Sequence, residues 1–229
     1  MLWSTNPLEK IRQKRIPKSL GEDGELEWLL EDMQSELRSW GHAGGERGHL
    51  IFKSDGETSI KAVRDKLAQK VGGRIVLEQP AQGESQSNGT VEEAGKTVRE
   101  FVRLLKDVLE SNLQIKIGTR EPILQWAVRW AAMLATRYLV GKDGRTAQER
   151  KRGRPCKSPL AEFGETVRYK PFDKNKDKNK VEPNWEEGIW LGISRESNGT
   201  LVGTKGGVIR CCSTKRLPAE EKWQKDLVL

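Results

Sequence analysis

The sequence predicts a chain in two parts, an α/β region followed by a small all-β barrel. Over roughly the first 140 residues, stretches with apolar residues at helical spacing alternate with short apolar runs, which is the pattern of an α/β fold. Beyond Leu160 the pattern changes to short β-like runs separated by turns, which is typical of a small barrel. The 229 residues carry 41 Lys and Arg against 33 Asp and Glu, and most of this excess lies where the two parts meet.

Four elements open the α/β part. Leucine, methionine and tryptophan residues recur at helical spacing over 23–40 and predict an amphipathic helix, which a glycine-rich stretch ends. The apolar run 50–52 suits a buried strand, and a second helix follows to about residue 70. The run 74–77 predicts another strand. A strand, a helix and a strand in this order form the unit of a parallel sheet.

Two longer helices complete this part. After a loop rich in Gly, Gln and Ser over 79–89, valine and leucine residues at helical spacing predict a helix to about Glu110. A further helix is expected from about Glu121 to Val140, and Gly141 closes it. Residues 1–20 show no clear periodicity and are left unassigned.

The barrel is predicted from four short runs, at 166–169, 188–193, 200–202 and 207–211. The pair Asn198–Gly199 lies between the second and third runs. It indicates a hairpin, because Asn and Gly tolerate the positive φ angles of tight turns.

Composition excludes several classes of protein. No apolar run approaches the roughly 18 residues that a membrane span needs, and residues 1–5 lack the basic-then-apolar order of a secretory signal. Cys156, Cys211 and Cys212 have neither metal-ligand spacing nor a disulfide framework, which favours a reducing compartment. His42 and His49 have no accompanying pair of cysteines, so no zinc module is expected.

The positive charge is concentrated in one stretch. Residues 142–180 hold 13 basic and 6 acidic residues, a balance of +7, which leaves +1 for the rest of the chain. Such a stretch is expected to contact a polyanion, although composition alone is equally compatible with a solvated linker. Its arginine-rich segment suits bidentate phosphate contact, and the residues expected to bind DNA there are Arg150, Lys151, Arg152, Arg154 and Lys157.

Two carboxylates stand out by position. Asp55 follows a buried strand, at the edge where α/β proteins bind ligands. Glu92 lies in the first turn of the long helix. Each also has a purely structural interpretation, because Asp55 can cap the next helix and the helix dipole favours Glu92.

Taken together, these motifs resemble the integrases of copia-type retrotransposons and retroviruses. Lys53-Ser54-Asp55-Gly56-Glu57 looks like the second catalytic aspartate of that family, and Gln86-Ser87-Asn88-Gly89-Thr90-Val91-Glu92 looks like its glutamate motif. The 36 residues between Asp55 and Glu92 are close to the family's usual spacing. The similarity continues through Arg137-Tyr138 and Gly144-Arg145-Thr146-Ala147 to Trp190-Leu191-Gly192, and so covers about 50–218.

The resemblance implies a domain organisation and an activity. It assigns 21–141 to a partial ribonuclease H-like core, 142–162 to a basic linker, 163–218 to an SH3-like barrel and 219–229 to a tail. The implied activity is DNA integration, a polynucleotidyl transfer that joins retroelement DNA ends to target DNA. Asp55 and Glu92 would be catalytic and would ligate Mg²⁺, two ions in a complete site.

The long helix also carries basic residues at helical intervals from Glu92. Lys96, Arg99, Arg103 and Lys106 fall near one face, away from the valine and leucine residues. In the family that the chain resembles, the basic residues one and two turns past the glutamate touch the DNA end, which implies this role for Lys96 and Arg99. The alternative is an ordinary solvated face of mixed charge.

One part of the family pattern is missing. The first catalytic carboxylate should precede Asp55 by some 50 to 60 residues, but the only upstream aspartates, Asp23 and Asp32, fall in a predicted helix. We therefore expect an N-terminally truncated, catalytically inactive chain with a hydrophobic sheet edge at 50–52. Its expected partners are DNA, other retroelement polypeptides or a second copy of itself, without a membrane, and it would be nuclear if it acts on DNA. The alternatives are a non-catalytic nucleic-acid-binding protein and an inert fragment.

Overall fold

In the first half of the chain, the described residues form two short strands, three helices and a pair of longer strands. The computed structural model describes residues 2–3, 13–14, 23–39, 49–53, 57–78, 89–157, 161–171, 184–194 and 197–228. In chain order the first elements are β1 (Leu2–Trp3), β2 (Gln13–Lys14), α1 (Asp23–Ser39), β3 (His49–Lys53), α2 (Thr58–Val71), β4 (Arg74–Glu78) and α3 (Gly89–Leu113). The predicted positions of these helices and of the two longer strands are confirmed.

The described part of the second half contains two helices, five strands and two short helical turns. These are α4 (Pro122–Arg137), α5 (Ala147–Arg152), β5 (Thr166–Tyr169), β6 (Glu186–Ile193), β7 (Thr200–Thr204), β8 (Gly207–Cys211), β9 (Thr214–Arg216), a 3₁₀ turn (Ala219–Glu221) and α6 (Lys225–Val228). The four predicted β runs are confirmed as β5 to β8. Among the described helices, none is long and apolar enough to cross a membrane.

The strands form sheets of two kinds. β3 and β4 pair in parallel, with Leu50 opposite Ile75 and Phe52 opposite Leu77, as the strand–helix–strand pattern predicted. β5 to β9 form an antiparallel sheet in the order β8-β7-β6-β5-β9. β1 and β2 make a separate antiparallel pair of two residues each. The fold is therefore mixed α/β with a five-stranded antiparallel sheet.

The chain divides into two compact units. The N-terminal unit comprises residues 16–95, and the C-terminal unit comprises residues 96–229 together with 1–15. The boundary falls within α3. The predicted domain bounds stay a prediction.

The N-terminal unit has a small core between its helices and its sheet. The buried apolar residues are Leu30 and Leu37 of α1 and Leu67 and Val71 of α2. Phe52 and other half-buried residues of the strands pack against them. Gln34 also donates a hydrogen bond of 3.0 Å to the backbone oxygen of Lys70, which ties α1 to the end of α2.

The other face of this sheet is exposed. Ile51 and Val76 are register partners in β3 and β4, and they are 61% and 47% exposed. Apolar residues on parallel strands are normally buried on both faces, because helices cover both. The exposed pair lies on a face of the sheet, and the hydrophobic sheet edge expected at 50–52 stays a prediction.

The C-terminal unit has a larger core in which helices pack against the antiparallel sheet. The rings of Trp130 in α4 and Trp190 in β6 meet edge to face, with centroids 4.8 Å apart. Gly192 has a φ of +126°, and a Cβ there would lie 2.8 Å from the Trp130 ring. Glycine is therefore required at 192 both by the backbone conformation and by the close approach of the helix.

A buried carboxylate joins two strands of the sheet. Glu165 precedes β5 and has no exposed surface, and both its oxygens accept hydrogen bonds of 2.7 Å from Arg216 at the end of β9. The backbone N–H of Glu162 donates to the same carboxylate over 3.0 Å. This ion pair thus holds the start of β5 to the end of the neighbouring strand β9, between residues 51 positions apart in sequence.

Candidate nucleic-acid interface

The structure describes one of the two carboxylates that were predicted as metal ligands. Glu92 lies in the first turn of α3, as predicted, and its side chain is exposed. Asp55 lies outside the described residues. In the part of the chain that the structure describes, no three His, Cys, Asp or Glu side chains are grouped so that they could hold a metal ion.

The predicted basic residues of α3 are exposed. Lys96, Arg99 and Arg103 all face solvent, and none makes an ion pair with a described residue. Their spacing of three and four residues places them on one side of the helix. This surface is called the α3 basic stripe below, and it can contact successive phosphates without first giving up an internal partner.

Further along α3, an acidic residue that the sequence did not single out organises the helix end. Glu110 is buried and pairs with Lys106 and, over 3.0 Å, with Lys116. It also accepts a hydrogen bond of 2.8 Å from the backbone N–H of Ile117. Lys106 above all, followed by Ile117 and Lys116, lowers the pKa of the Glu110 carboxyl to about 2. Lys106 is thereby held by Glu110 and does not belong to the α3 basic stripe.

The arginine-rich segment begins as a short, well-capped helix. The Thr146 hydroxyl accepts a hydrogen bond from the backbone N–H of Glu149, and the Glu149 carboxylate accepts one from the backbone N–H of Thr146. This capping box supplies acceptors to two backbone N–H groups at the start of α5. Gly153 ends the helix in a left-handed conformation, with a φ of +69°.

Within this segment, Arg150 differs from its neighbours. Its guanidinium binds both carboxylate oxygens of Asp143 and donates to the backbone oxygen of Arg145 over 3.2 Å. Arg150 holds the pKa of the Asp143 carboxyl far below its usual range, and Asp143 in turn raises the pKa of Arg150. Arg150 therefore stabilises the turn before α5 and is already engaged, although it was predicted to bind DNA.

The other predicted residues of the segment point outward. They are Lys151, Arg152, Arg154 and Lys157, and all four are exposed. They are called the α5 basic segment below. All eight predicted DNA-binding residues are thus exposed, and Arg150 is the one among them that the described contacts hold against Asp143.

The sheet holds its own basic residues in other contacts. Arg216 binds Glu165, and it also contacts Glu162 over 3.2 Å. The Lys215 ammonium lies 4.5 Å from the centre of the Trp185 ring, in a cation–π contact. Both of these basic side chains therefore already have partners within the described residues.

Comparison with known proteins adds no assignment. No protein-family model and no curated protein matches the chain.

Proposed function

We propose that the C-terminal unit binds nucleic acid, and that its ligand is DNA. The observation that carries the proposal is the separation of charge between the two units. Residues 1–15 and 96–229 together hold 32 Lys and Arg against 18 Asp and Glu, a net +14, whereas residues 16–95 hold 9 against 15, a net −6. A polyanion would bind one unit selectively, because phosphate contacts with Lys and Arg dominate nucleic-acid affinity.

The arrangement of the exposed residues supports the same proposal. The α3 basic stripe provides two arginines and one lysine along a helix, and the α5 basic segment provides two more of each. Arginine is suited to this task because its planar guanidinium can donate two parallel hydrogen bonds to a phosphate. Neither group of residues lies in the core, and all seven side chains are exposed.

The order of the strands supports an SH3-like barrel for the sheet, and with it a relationship to integrases. β5 to β8 follow one another as an antiparallel meander, and β9 returns beside β5. The parallel β3–α2–β4 unit before α3 supports a ribonuclease H-like arrangement in the N-terminal unit. We propose on this basis that the chain is related to copia-type integrases.

DNA integration itself is a second candidate function. The observation that favours it is Glu92 in the first turn of a long helix after a parallel strand–helix–strand unit. Two Mg²⁺ ions would need several carboxylates. The described residues alone do not fit such a site, because Glu92 is not grouped with two further ligands.

The binding proposal is tested by the salt dependence of the affinity for a DNA duplex. We expect log affinity to fall linearly with log salt, and we expect Lys96→Gln, Arg99→Gln and Arg103→Gln together to reduce the slope by about 2 to 3, since each phosphate contact contributes about 0.9. The matched control is Lys53→Gln, Lys66→Gln and Arg74→Gln, three exposed residues of the N-terminal unit. Binding that does not respond to salt, or equal effects of the two triple variants, would refute the proposal.

The integrase proposal is tested separately. Mg²⁺-dependent joining of retroelement DNA ends is measured for the chain, for Asp55→Asn and for Glu92→Gln, with Glu93→Gln as the control on the neighbouring carboxylate. Joining that is lost in the first two variants and kept in the control would establish the enzyme. Salt-dependent binding with no joining would leave a nucleic-acid-binding protein.

A further inference from the structure

A half-buried cysteine connects the end of α4 to the α5 basic segment. Nη1 of Arg137 donates a hydrogen bond to Sγ of Cys156 over 3.8 Å, and Oη of Tyr138 lies 3.4 Å from the same sulfur. We propose that Cys156 is an ionised, nucleophilic thiol and a site of modification by peroxides and other small electrophiles. This inference needs no nucleic acid and goes beyond the proposed function.

Arg137 gives the first argument. Its side chain is almost fully buried, with 6% of the residue exposed, and its guanidinium is charged at every accessible pH. Among the described residues, no Asp or Glu pairs with Arg137, and the Cys156 sulfur is the polar atom that faces it. A buried cation without a counter-charge is costly, and a thiolate at Cys156 would supply one.

The surroundings of the sulfur give the second argument. From α4 it is faced by Arg137 and Tyr138, and on its own segment it is flanked by Arg154 and Lys157, both exposed. Cations near a thiol favour the thiolate, and reactive cysteines lie in electropositive, partly exposed surroundings of this kind. Burial and the contact with Cys156 raise the pKa of Tyr138 above its usual value, which keeps its hydroxyl protonated as a donor.

The other two cysteines provide an internal comparison. Cys211 is fully buried in the sheet, and burial raises its pKa to about 12, so it should be inert while the protein is folded. Cys212 is exposed and lies beside it in sequence. The three thiols of one chain thus sample a buried, an exposed and a cation-flanked environment.

The expected reaction with hydrogen peroxide is a two-electron oxidation. The Cys156 thiolate attacks one peroxide oxygen, the S–O bond forms and the O–O bond breaks. The sulfur becomes a sulfenic acid, and the leaving hydroxide takes a proton from solvent to give water. Oxidation removes the negative charge facing Arg137, so it weakens the contact between α4 and the segment after α5.

The test follows iodoacetamide alkylation of the folded chain against pH, with each cysteine quantified by mass spectrometry. The readout is the midpoint of each pH–rate profile, because a lower pKa also lowers the intrinsic nucleophilicity and makes plateau rates a poor guide. We expect the Cys156 midpoint to lie about one pH unit below that of Cys212, and Cys211 to stay unmodified. A Cys156 midpoint equal to or above that of Cys212 would overturn the proposal.

Two variants test whether the charge of Arg137 lowers the Cys156 midpoint. Arg137→Met should raise the Cys156 midpoint by about one pH unit and leave Cys212 unchanged, whereas Arg137→Lys should largely preserve the wild-type midpoint because it keeps the charge. An Arg137→Met variant that folds and keeps the wild-type midpoint contradicts the proposal. If Arg137→Met does not fold, Tyr138→Phe replaces it, since loss of the hydroxyl donor should raise the same midpoint by a smaller amount.

Discussion

The two units bury their apolar residues to very different extents. Among the described residues, four apolar side chains form the buried core beneath the two-stranded parallel sheet of the N-terminal unit, whereas twenty buried side chains form the core of the C-terminal unit, whose sheet is antiparallel. An antiparallel sheet can be complete with helices on one face, but a parallel sheet depends on cover over both. The exposed face of the parallel sheet and the larger described core beside the antiparallel sheet follow this difference.

The two units also differ in charge. The well-packed unit carries the excess of basic residues, and the thinly packed unit is acidic. A rigid support favours binding of a ligand to a surface, because less conformational entropy is lost when the ligand binds. The α3 basic stripe and the α5 basic segment both belong to the unit that provides it.

The largest effect is expected from the junction of α4 with the antiparallel sheet. Trp130→Ala should lower the free energy of unfolding by about 3–5 kcal/mol, because it leaves a cavity beside Trp190 and removes an edge-to-face aromatic contact. Urea denaturation followed by far-ultraviolet circular dichroism measures the change. Val128→Ala, at an exposed position of the same helix, is the control and should cost less than about 0.5 kcal/mol. Equal midpoints for the two variants would show that the core of the C-terminal unit does not depend on this junction.

A smaller loss is expected when the ion pair between β5 and β9 is broken. Arg216→Met should destabilise the C-terminal unit by about 2 kcal/mol, because it leaves the buried Glu165 carboxylate without its cation. The value is below that of a fully buried pair because Arg216 is 47% exposed and water partly replaces it. Arg168→Met, which breaks an exposed pair with Glu187, should cost about 0.5 kcal/mol or less in the same denaturation experiment. A cost as small for Arg216→Met as for Arg168→Met would contradict this role of Glu165.

The acid stability of the C-terminal unit should depend on Glu110. The folded pKa of about 2 lies below the ordinary value near 4.3, so the stabilisation is present above pH 4.3 and is lost as the pH falls to about 2. Glu110→Gln should flatten this part of the profile of urea midpoint against pH. Asp143, whose pKa Arg150 also lowers, contributes to the slope that remains. Glu100→Gln, on the exposed side of α3, serves as the control, and an unchanged profile in Glu110→Gln would reject the prediction.

The smallest effect is expected on the exposed face of the parallel sheet. Ile51→Thr should change the free energy of unfolding by no more than about 0.5 kcal/mol, because the side chain is mostly in water already. Leu67→Ala in the core of the same unit should cost about 2–5 kcal/mol. Hydrogen exchange of β3 and β4 amides resolves both changes within this unit. A loss above 1 kcal/mol for Ile51→Thr would mean that the face is covered in solution, and the contrast between the units would disappear.

Local features of this fold were predictable from sequence. The apolar spacing located α1 to α4 within a few residues, and the order of strand, helix and strand predicted the parallel pairing of β3 with β4. The Asn198–Gly199 pair predicted the turn between β6 and β7, where Asn198 has a φ of +56°. Each of these features depends on residues close together in sequence, so a short window contains the signal.

Contacts between distant residues were not predictable in this way. Glu165 and Arg216 are 51 positions apart, and the close approach of α4 to Gly192 joins residues from a helix and a strand. The engagement of Arg150 depends on how the turn after Val140 returns Asp143 toward α5. The ion pair of Glu110 with Lys106 was partly predictable, because residues four positions apart are neighbours on a helix. The geometry of Asp55 relative to Glu92 stays a prediction, since Asp55 lies outside the described residues.

The perpendicular tryptophans at the junction of α4 and β6 also have an optical consequence. Two indole rings whose centres are 4.8 Å apart, with planes at 88°, are near enough for their electronic transitions to couple. Such coupling gives a paired positive and negative band in the circular dichroism spectrum that neither ring produces alone. The C-terminal unit therefore contains a label-free reporter of its own assembly, which would vanish when helix and sheet separate even if each kept its secondary structure.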